Sequence, residues 1–361
     1  MATARLGTAR LGTAREGRAQ EGKVPASAPP VLATGEELRA VLERRLGAVL
    51  GTGVTVGAVT QLVGGASRET WALDAVTADG RVRPLVLRRC IPGAIRADMG
   101  IEARTSTAAG MAGVPVPEVV YSTDDPSEMG GPYLLAERIE GETIARRIFR
   151  LLDAPGSVGR ATVARQCGAA LARLHRVAPD GLDLGDGDPI ALRRETIDEL
   201  GLARPAFELG LRWLEAHRPP AAAPRMVHGD FRVGNLIVGA EGLRAVLDWE
   251  LVHAGDPLED LAWFCIRAWR FGSDELVAGG LAPLDDLVAA YEAESVAPVD
   301  RQALGWWIVM GTLNWGIICA KQADRHLSGS EPSVELAAIG RRISESEWDV
   351  LECLRAAGWP R

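Results

Sequence analysis

Apolar and polar positions alternate in two rhythms along this chain, with the change near residue 138. A helix signature opens the first region: Thr34-Gly35-Glu36-Glu37 offers a cap and first-turn acids, and Leu38, Val41, Leu42 and Leu46 then share one face. Three β-type runs follow at 54–63, 69–76 and 84–89. Gly64-Gly65-Ala66-Ser67 divides the first two runs, and Ala78-Asp79-Gly80 the next two. A helix carrying Glu102 comes next, then the breaker Gly113-Val114-Pro115-Val116-Pro117 and strands at 118–121 and 132–138. Past residue 139 the spacing turns helical. Val163, Cys167, Ala170, Leu171 and Leu174 mark a helix over 161–177 that ends near His175. A Gly/Asp-rich loop at 180–188 leads to helical segments reaching His217, and further helices are expected at 258–271, 283–293, 300–321 and 333–354. Residues 1–33 contain short copies of Thr-Ala-Arg-Leu-Gly and a Pro-rich linker, and read as a disordered tail. The expected division is this tail, a strand-rich lobe over 34–138 and a helical lobe over 139–361.

One stretch breaks the helical rhythm of the second region. In residues 226–260, His228-Gly229-Asp230 is followed five positions on by Asn235, then by the apolar run Leu236-Ile237-Val238. A Gly-bearing turn at 239–242 and a second apolar run to Leu247 complete a hairpin signature, with Asp248 at its end. Folding the hairpin brings Asn235 and Asp248 together beside Asp230. Oxygen ligands gathered in this way suit Mg²⁺, which keeps waters and is completed by substrate phosphates. The remaining carboxylate, Asp230, can orient a hydroxyl and accept its proton. Asp256 and Pro257 read as a helix start, which makes Asp256 and Asp260 scaffolding.

Composition narrows the partners. The 361 residues are 47% apolar and 24% charged, enough for a large core. A net charge of −8 gives nucleic-acid binding no electrostatic support. No apolar run reaches the ~20 residues of a membrane span; the nearest, 306–320, is broken by Gly311, Asn314 and Gly316. Five scattered cysteines form no C-x-x-C pair, so neither a zinc site nor a disulfide framework is indicated, and a reducing, cytoplasmic location is expected.

The H-x-D-x-x-x-x-N spacing with Leu247-Asp248-Trp249-Glu250 resembles the aminoglycoside phosphotransferase/choline kinase family. The resemblance implies a bilobal, protein-kinase-like α/β (α+β) fold, with a small antiparallel sheet in the N-lobe and a larger, mainly helical C-lobe. It implies ATP and Mg²⁺ as cofactors, Asp230 as catalytic base, and Asn235 and Asp248 as metal ligands. The Gly-rich turn with Gly64, Gly65 and Ser67 would set backbone N–H groups against phosphates. Where kinases place a lysine, this chain has Arg88, with Glu102 as its expected helix partner. Arginine grips phosphate bidentately but is not interchangeable with an ammonium, so Arg88 also reads as a surface arginine at a strand end. Glu137 and Arg138 fall at the expected interlobe hinge, whose backbone would meet adenine. Val86-Leu87-Arg88 and Gly340-Arg341-Arg342 with Glu345 look most like kinase-like domains associated with acyl-CoA dehydrogenases.

The expected reaction is transfer of the γ-phosphate of ATP to a hydroxyl of a small molecule. A hydroxyacyl or hydroxy-acid acceptor leads, with aminoglycoside- or choline-type acceptors beside it. A nucleotide-binding pseudokinase is the non-catalytic alternative, which Arg88 favours and the intact Asp230, Asn235 and Asp248 oppose. A dinucleotide oxidoreductase is excluded by the lack of a strand–G-x-G-x-x-G–helix unit. The last third, rich in tryptophan, is expected to supply the acceptor pocket.

Overall fold

A computed structural model describes residues 34–62, 68–90, 98–295 and 297–358, so the expected N-terminal tail at 1–33 lies outside the described residues. Helix α1 (Gly35–Leu50) starts where the sequence places it: Thr34 accepts from the Glu37 backbone and Glu37 reaches back to the Thr34 N–H. Strands β1 (Thr55–Val56), β2 (Thr60–Leu62), β3 (Arg68–Val76) and β4 (Val82–Cys90) follow. The single run expected at 54–63 is two short strands, because the register against β3 shifts by one residue between Val56, opposite Ala75, and Thr60, opposite Ala72. Helix α2 (Met99–Met111), β5 (Val119–Thr123) and β6 (Tyr133–Glu137) complete the lobe. The strands form one antiparallel sheet in the order β1-β3-β4-β6-β5, with β2 paired to β3.

Alternation across the pleat decides what this sheet shows on each side. Trp71, Leu73, Leu85 and Leu87 bury one face against Leu38, Leu42 and Leu46 of α1. Adjacent arginines on β4 therefore part company. Arg89 goes to the α1 side, almost fully buried, and donates to Glu69 and the Met129 carbonyl. Arg88 goes to the other side, toward the second lobe.

The second lobe begins with α3 (Ala145–Leu152), α4 (Arg160–Leu174), α5 (Pro189–Glu199) and α6 (Pro205–Ala216). Four short strands come next: β7 (Arg225–Val227), β8 (Leu236–Gly239), β9 (Gly242–Val246) and β10 (His253–Gly255). Then come α7 (Leu258–Cys265), α8 (Leu284–Glu294), α9 (Arg301–Leu327), α10 (Val334–Gly340) and α11 (Ile343–Ala356). β8 and β9 form the expected hairpin, and β7 pairs with β10. Reciprocal backbone bonds between Glu142 and Val238 fasten the segment after β6 to the hairpin. Gly141 makes this possible: its φ is +151°, and a Cβ there would collide with Ile237 and the Val238 carbonyl. Two expected helices are shorter than their apolar pattern. The run at 258–271 stops at Cys265 and continues as a 3₁₀ turn, and the run at 333–354 breaks into α10 and α11. Helix α9 is long and apolar enough to cross a membrane by composition, yet 72% of its most apolar window is buried among its neighbours.

At the centre of this lobe a fully buried carboxylate, Asp260 on α7, gathers three donors. Its Oδ2 accepts from the His228 backbone N–H (2.8 Å) and from His175 Nε2 (3.1 Å), and its Oδ1 from the Gly229 N–H (2.9 Å). The tautomer of His175 follows: Nε2 carries the proton, and Nδ1 accepts from the Tyr291 hydroxyl at 2.9 Å. His228 in turn accepts the Asp230 N–H at Nδ1 (3.2 Å) and donates from Nε2 to the Leu247 carbonyl (3.0 Å). Gly229, at φ +80°, has no room for a Cβ beneath the Leu251 carbonyl. His175, read from sequence as a helix-end or core residue, is both, and Asp260 is scaffolding as expected.

Burial opposes ionisation of Asp260, but the hydrogen bond from His175, nearby charge and the His228 N–H hold its pKa below the usual 3.8. A folded-state pKa below the unfolded one means stability that is fully present above about pH 4 and is lost as pH falls through the folded value. Asp260→Asn should therefore cost about 2–4 kcal/mol at pH 7, since it strands buried donors. Urea unfolding at pH 7 and at pH 3 checks this: the gap to wild type should shrink at pH 3, and an equal gap at both would show that charge is not what matters.

Candidate active site

The hairpin and the sheet enclose a cleft of about 530 Å³. Thr70, Val86 and Arg88 roof it, Ile237 and Val246 floor it, and Asn235, Asp248 and Glu250 close one end. Polar groups are thus confined to one end of a mostly apolar slot, as small-molecule sites usually are.

Arg88 spans that end. Its Nη1 donates to Glu102 Oε2 at 3.0 Å and its Nη2 to Asp248 Oδ1 at 3.1 Å. Glu102 is buried and also pairs with Arg68, which reaches Glu250 at 3.1 Å. Arg88 is therefore not a free strand-end arginine; it makes the helix ion pair that a kinase lysine would make. Sequence reasoning missed Arg68. The signal was available, since Arg68 and Thr70 on β3 alternate onto one face and Thr70 pairs in register with Arg88. Glu250 is pushed above the usual carboxylate range, mainly by burial and then by the neighbouring Asp248 charge.

Asp248 sits at φ +70°, a left-handed conformation that costs an ordinary side chain energy. The turn lets its carboxylate face Arg88 instead of following β9 away. The Leu247 N–H bonds the Asn235 carbonyl at 2.8 Å, which locks the two ends of the hairpin in register. The Asn235 amide group donates to the Asp230 carbonyl (2.9 Å) and to Asp230 Oδ2 (2.7 Å). Asn235 and Asp248 both line the cleft. One amide oxygen and one carboxylate are a hard-oxygen pair, which fits Mg²⁺ better than a softer ion. Among the described residues no group of three or more His, Cys, Asp or Glu side chains converges on a metal site, so a cation here needs oxygens from phosphate and water.

Asp230 lies behind Asn235, which lines the cleft. Arg232 Nε stands 3.0 Å from each of its carboxylate oxygens, and the Trp263 indole donates to Oδ1 at 2.8 Å. Arg232 also lies over the Trp269 ring, at 5.0 Å, and Trp269 packs edge-on against Trp263 and Trp315. The aromatic last third thus touches the loop carboxylate directly, through Trp263.

Glu137 and Arg138 lie on the cleft rim, but their side chains turn to Arg83 (2.9 Å) and Asp74 (3.0 Å). Their backbone N–H groups bond the Glu118 and Pro84 carbonyls. Their contribution to the cleft is its wall. Gly64, Gly65 and Ser67 lie outside the described residues.

Known proteins share this fold. Residues 58–301 match the model of the phosphotransferase enzyme family. Acyl-CoA dehydrogenase family member 10 of Mus musculus is 32% identical over 298 residues, 74% of this chain and 27% of that protein. Family member 11 of Homo sapiens is 31% identical over 198 residues, covering 50% of this chain and 25% of that protein. The chain thus spans about a quarter of the length of these curated relatives. Among solved structures, a protein from Ralstonia eutropha with the provisional name of an aminoglycoside phosphotransferase superposes with a TM-score of 0.69 at 22% identity, covering 88% of this chain and 98% of that one. Spectinomycin phosphotransferase, solved with ADP and spectinomycin, gives a TM-score of 0.61 at 12% identity, covering 89% and 98%. These two show a shared bilobal, kinase-like fold. The chain belongs to the phosphotransferase enzyme family.

Proposed function

We propose that this chain transfers the γ-phosphate of ATP to the hydroxyl of a small hydroxylated acid or acyl group, with Asp230 as the base. The observation that carries this reading is the convergence of Arg88, Asp248, Asn235 and Asp230 across one hydrogen-bonded hairpin. The lobe at 34–138 holds the nucleotide, its adenine against the hinge at Glu137 and Arg138. The lobe at 139–361 supplies the chemistry. Arg88 leaves Asp248 to grip the phosphates, and Glu102, shared with Arg68, keeps the two guanidiniums aimed at them. Asn235 and Asp248 would hold Mg²⁺, which supplies charge neutralisation on the phosphates. The Gly-rich turn with Gly64, Gly65 and Ser67 would cover the same phosphates.

In the transfer step the acceptor oxygen attacks the γ-phosphorus and the bond to ADP breaks. The hydroxyl proton passes to Asp230. Trp263 and Arg232 fix the direction of that carboxylate, so positioning contributes as much as basicity. The hydroxy-acid or hydroxyacyl acceptor is supported by relatives whose names join such a domain to acyl-CoA dehydrogenases. An aminoglycoside- or choline-type kinase is the alternative acceptor reading, and a pseudokinase the non-catalytic one. The paired Arg88 and Glu102 speak against the latter.

An ADP-release screen over hydroxyacyl-CoAs, hydroxy acids, aminoglycosides, choline and sugars tests the acceptor. Asp230→Asn should lower kcat about 10³-fold, or roughly 4 kcal/mol, with little change in KM for ATP. Turnover at the wild-type rate would remove Asp230 from the chemistry. Arg88→Ala should raise KM for ATP at least about tenfold and leave acceptor KM near its wild-type value. An unchanged ATP dependence would refute the phosphate role.

A further inference from the structure

A second cleft, of about 690 Å³, opens on the far side of the catalytic loop between α5, α9 and the chain following Asp248. Gly229, next in sequence to Asp230, is on its wall, and so is Ile318. Ile318 also packs against Trp263 and Trp269, and Trp263 donates to Asp230. The cleft and the loop carboxylate therefore share a wall.

The charges inside it are unevenly matched. Arg193 on α5 is 17% exposed, and its Nε donates to Asn314 Oδ1 at 3.1 Å. Its nearest carboxylate, Glu259, is 4.0 Å away, and its Nη groups make no hydrogen bond to any described residue. Burial lowers its pKa, which is the cost of a charge without a close partner. Glu259 is already committed to His253, at 3.1 Å. Burial works against the His253 imidazolium, but the hydrogen bond and charge of Glu259 outweigh it and raise its pKa to about 9. At neutral pH that pair is closed. Asp256 is likewise occupied, by the Leu258 N–H and the Trp307 indole. Arg218 forks onto Asp188. Asp186, Glu195 and Glu199 stand exposed at the rim, where water and salt screen them.

One more cation faces the same space. Lys321 follows Asn314 and Ile318 along one face of α9, at the cleft's mouth, and has no ion pair among the described residues. It is one of two lysines in a chain with 38 arginines. A flexible ammonium at the mouth and a mostly buried guanidinium at the base, joined by the apolar wall of Ile317 and Ile318, fit one anionic group on a short apolar stem.

The geometry points to this cleft as the acceptor subsite, with Arg193 and Lys321 binding an anionic group of the acceptor while its hydroxyl lies at Asp230. This rests on the transfer reading above and adds to it the residues that select the substrate. The anion is either the carboxylate of a free hydroxy acid or a phosphate of a thioester carrier.

Fluorescence titration of the full chain with Mg²⁺ and ADP present tests this, since Trp306 and Trp307 line the cleft. The probes are four- to six-carbon hydroxyalkanoates, their primary amides and their coenzyme A thioesters. Acid or thioester should bind at least about tenfold more tightly than amide. Lys321→Gln and Arg193→Gln should each erase that preference and leave ADP affinity unchanged, with Lys321→Arg restoring part of it. Lys321 is exposed, so its variants keep the fold even if Arg193→Gln does not. Binding of the free acid assigns the carboxylate; binding of the thioester alone assigns the carrier phosphate; both support the subsite. Amides that bind as well as acids and thioesters, no binding by any anionic probe, or a Lys321→Gln variant with its preference intact, would overturn it. The Asp230→Asn variant separates the two readings. A preference that persists there without any wild-type turnover refutes transfer and keeps the subsite. Turnover of the anionic acceptors at the wild-type rate and KM in Lys321→Gln refutes the subsite and keeps transfer.

Discussion

Asp260 carries a negative charge with no exposed surface, and the second lobe is arranged to satisfy it. Two backbone N–H groups and one imidazole do so, and they come from α4 and from the loop that carries Asp230. Because an unmatched buried carboxylate is so costly, α4, α7 and the loop cannot move independently. The next link is His228, which passes this constraint to the Asp230 N–H and to the Leu247 carbonyl. Phe231 and Trp249 pack about its ring and keep water away. The loop that carries Asp230 is thus held by groups buried behind it.

Across the hairpin, order is maintained by different means. Asn235 ties Asp230 to β8, the Asn235–Leu247 bond ties β8 to the end of β9, and a left-handed turn aims Asp248 at the N-lobe. Arg88 then bridges Asp248 and Glu102, so one ion-pair chain runs from the hairpin to α2. Such a chain joins the lobes without covalent rigidity. In the proposed reaction, arriving phosphates would take over its arginines, since the same guanidinium fork serves carboxylate and phosphate.

Much of this was legible in the sequence, because the features involved are local. The cap at Thr34, the hairpin over 236–246 and the alternation that separates Arg88 from Arg89 all follow from residue spacing. The H-x-D-x-x-x-x-N run marked Asp230 and Asn235, which share a hydrogen bond, and the hairpin signature marked Asp248, which lines the cleft with Asn235. What stayed hidden depends on contacts between distant segments. Nothing near Trp263 says that its indole meets a carboxylate 33 positions earlier, and nothing near Arg193 says that Asn314 and Lys321 face it. Helix ends were the other loss. The apolar pattern of 258–271 continues through a 3₁₀ turn, since packing around Trp269 asks for burial and not for helix.

The central claim is that a divalent cation and a nucleotide share the site made by Asn235 and Asp248, beside Asp230. Its most direct test is Mn²⁺, standing in for Mg²⁺, titrated by electron paramagnetic resonance into the protein with ADP present. The expected result is a bound Mn²⁺·ADP signal whose affinity falls at least about tenfold in Asp248→Asn and stays near the wild-type value in Asp230→Asn. Mn²⁺·ADP binding that ignores Asp248→Asn would place the nucleotide and its metal elsewhere and contradict the claim.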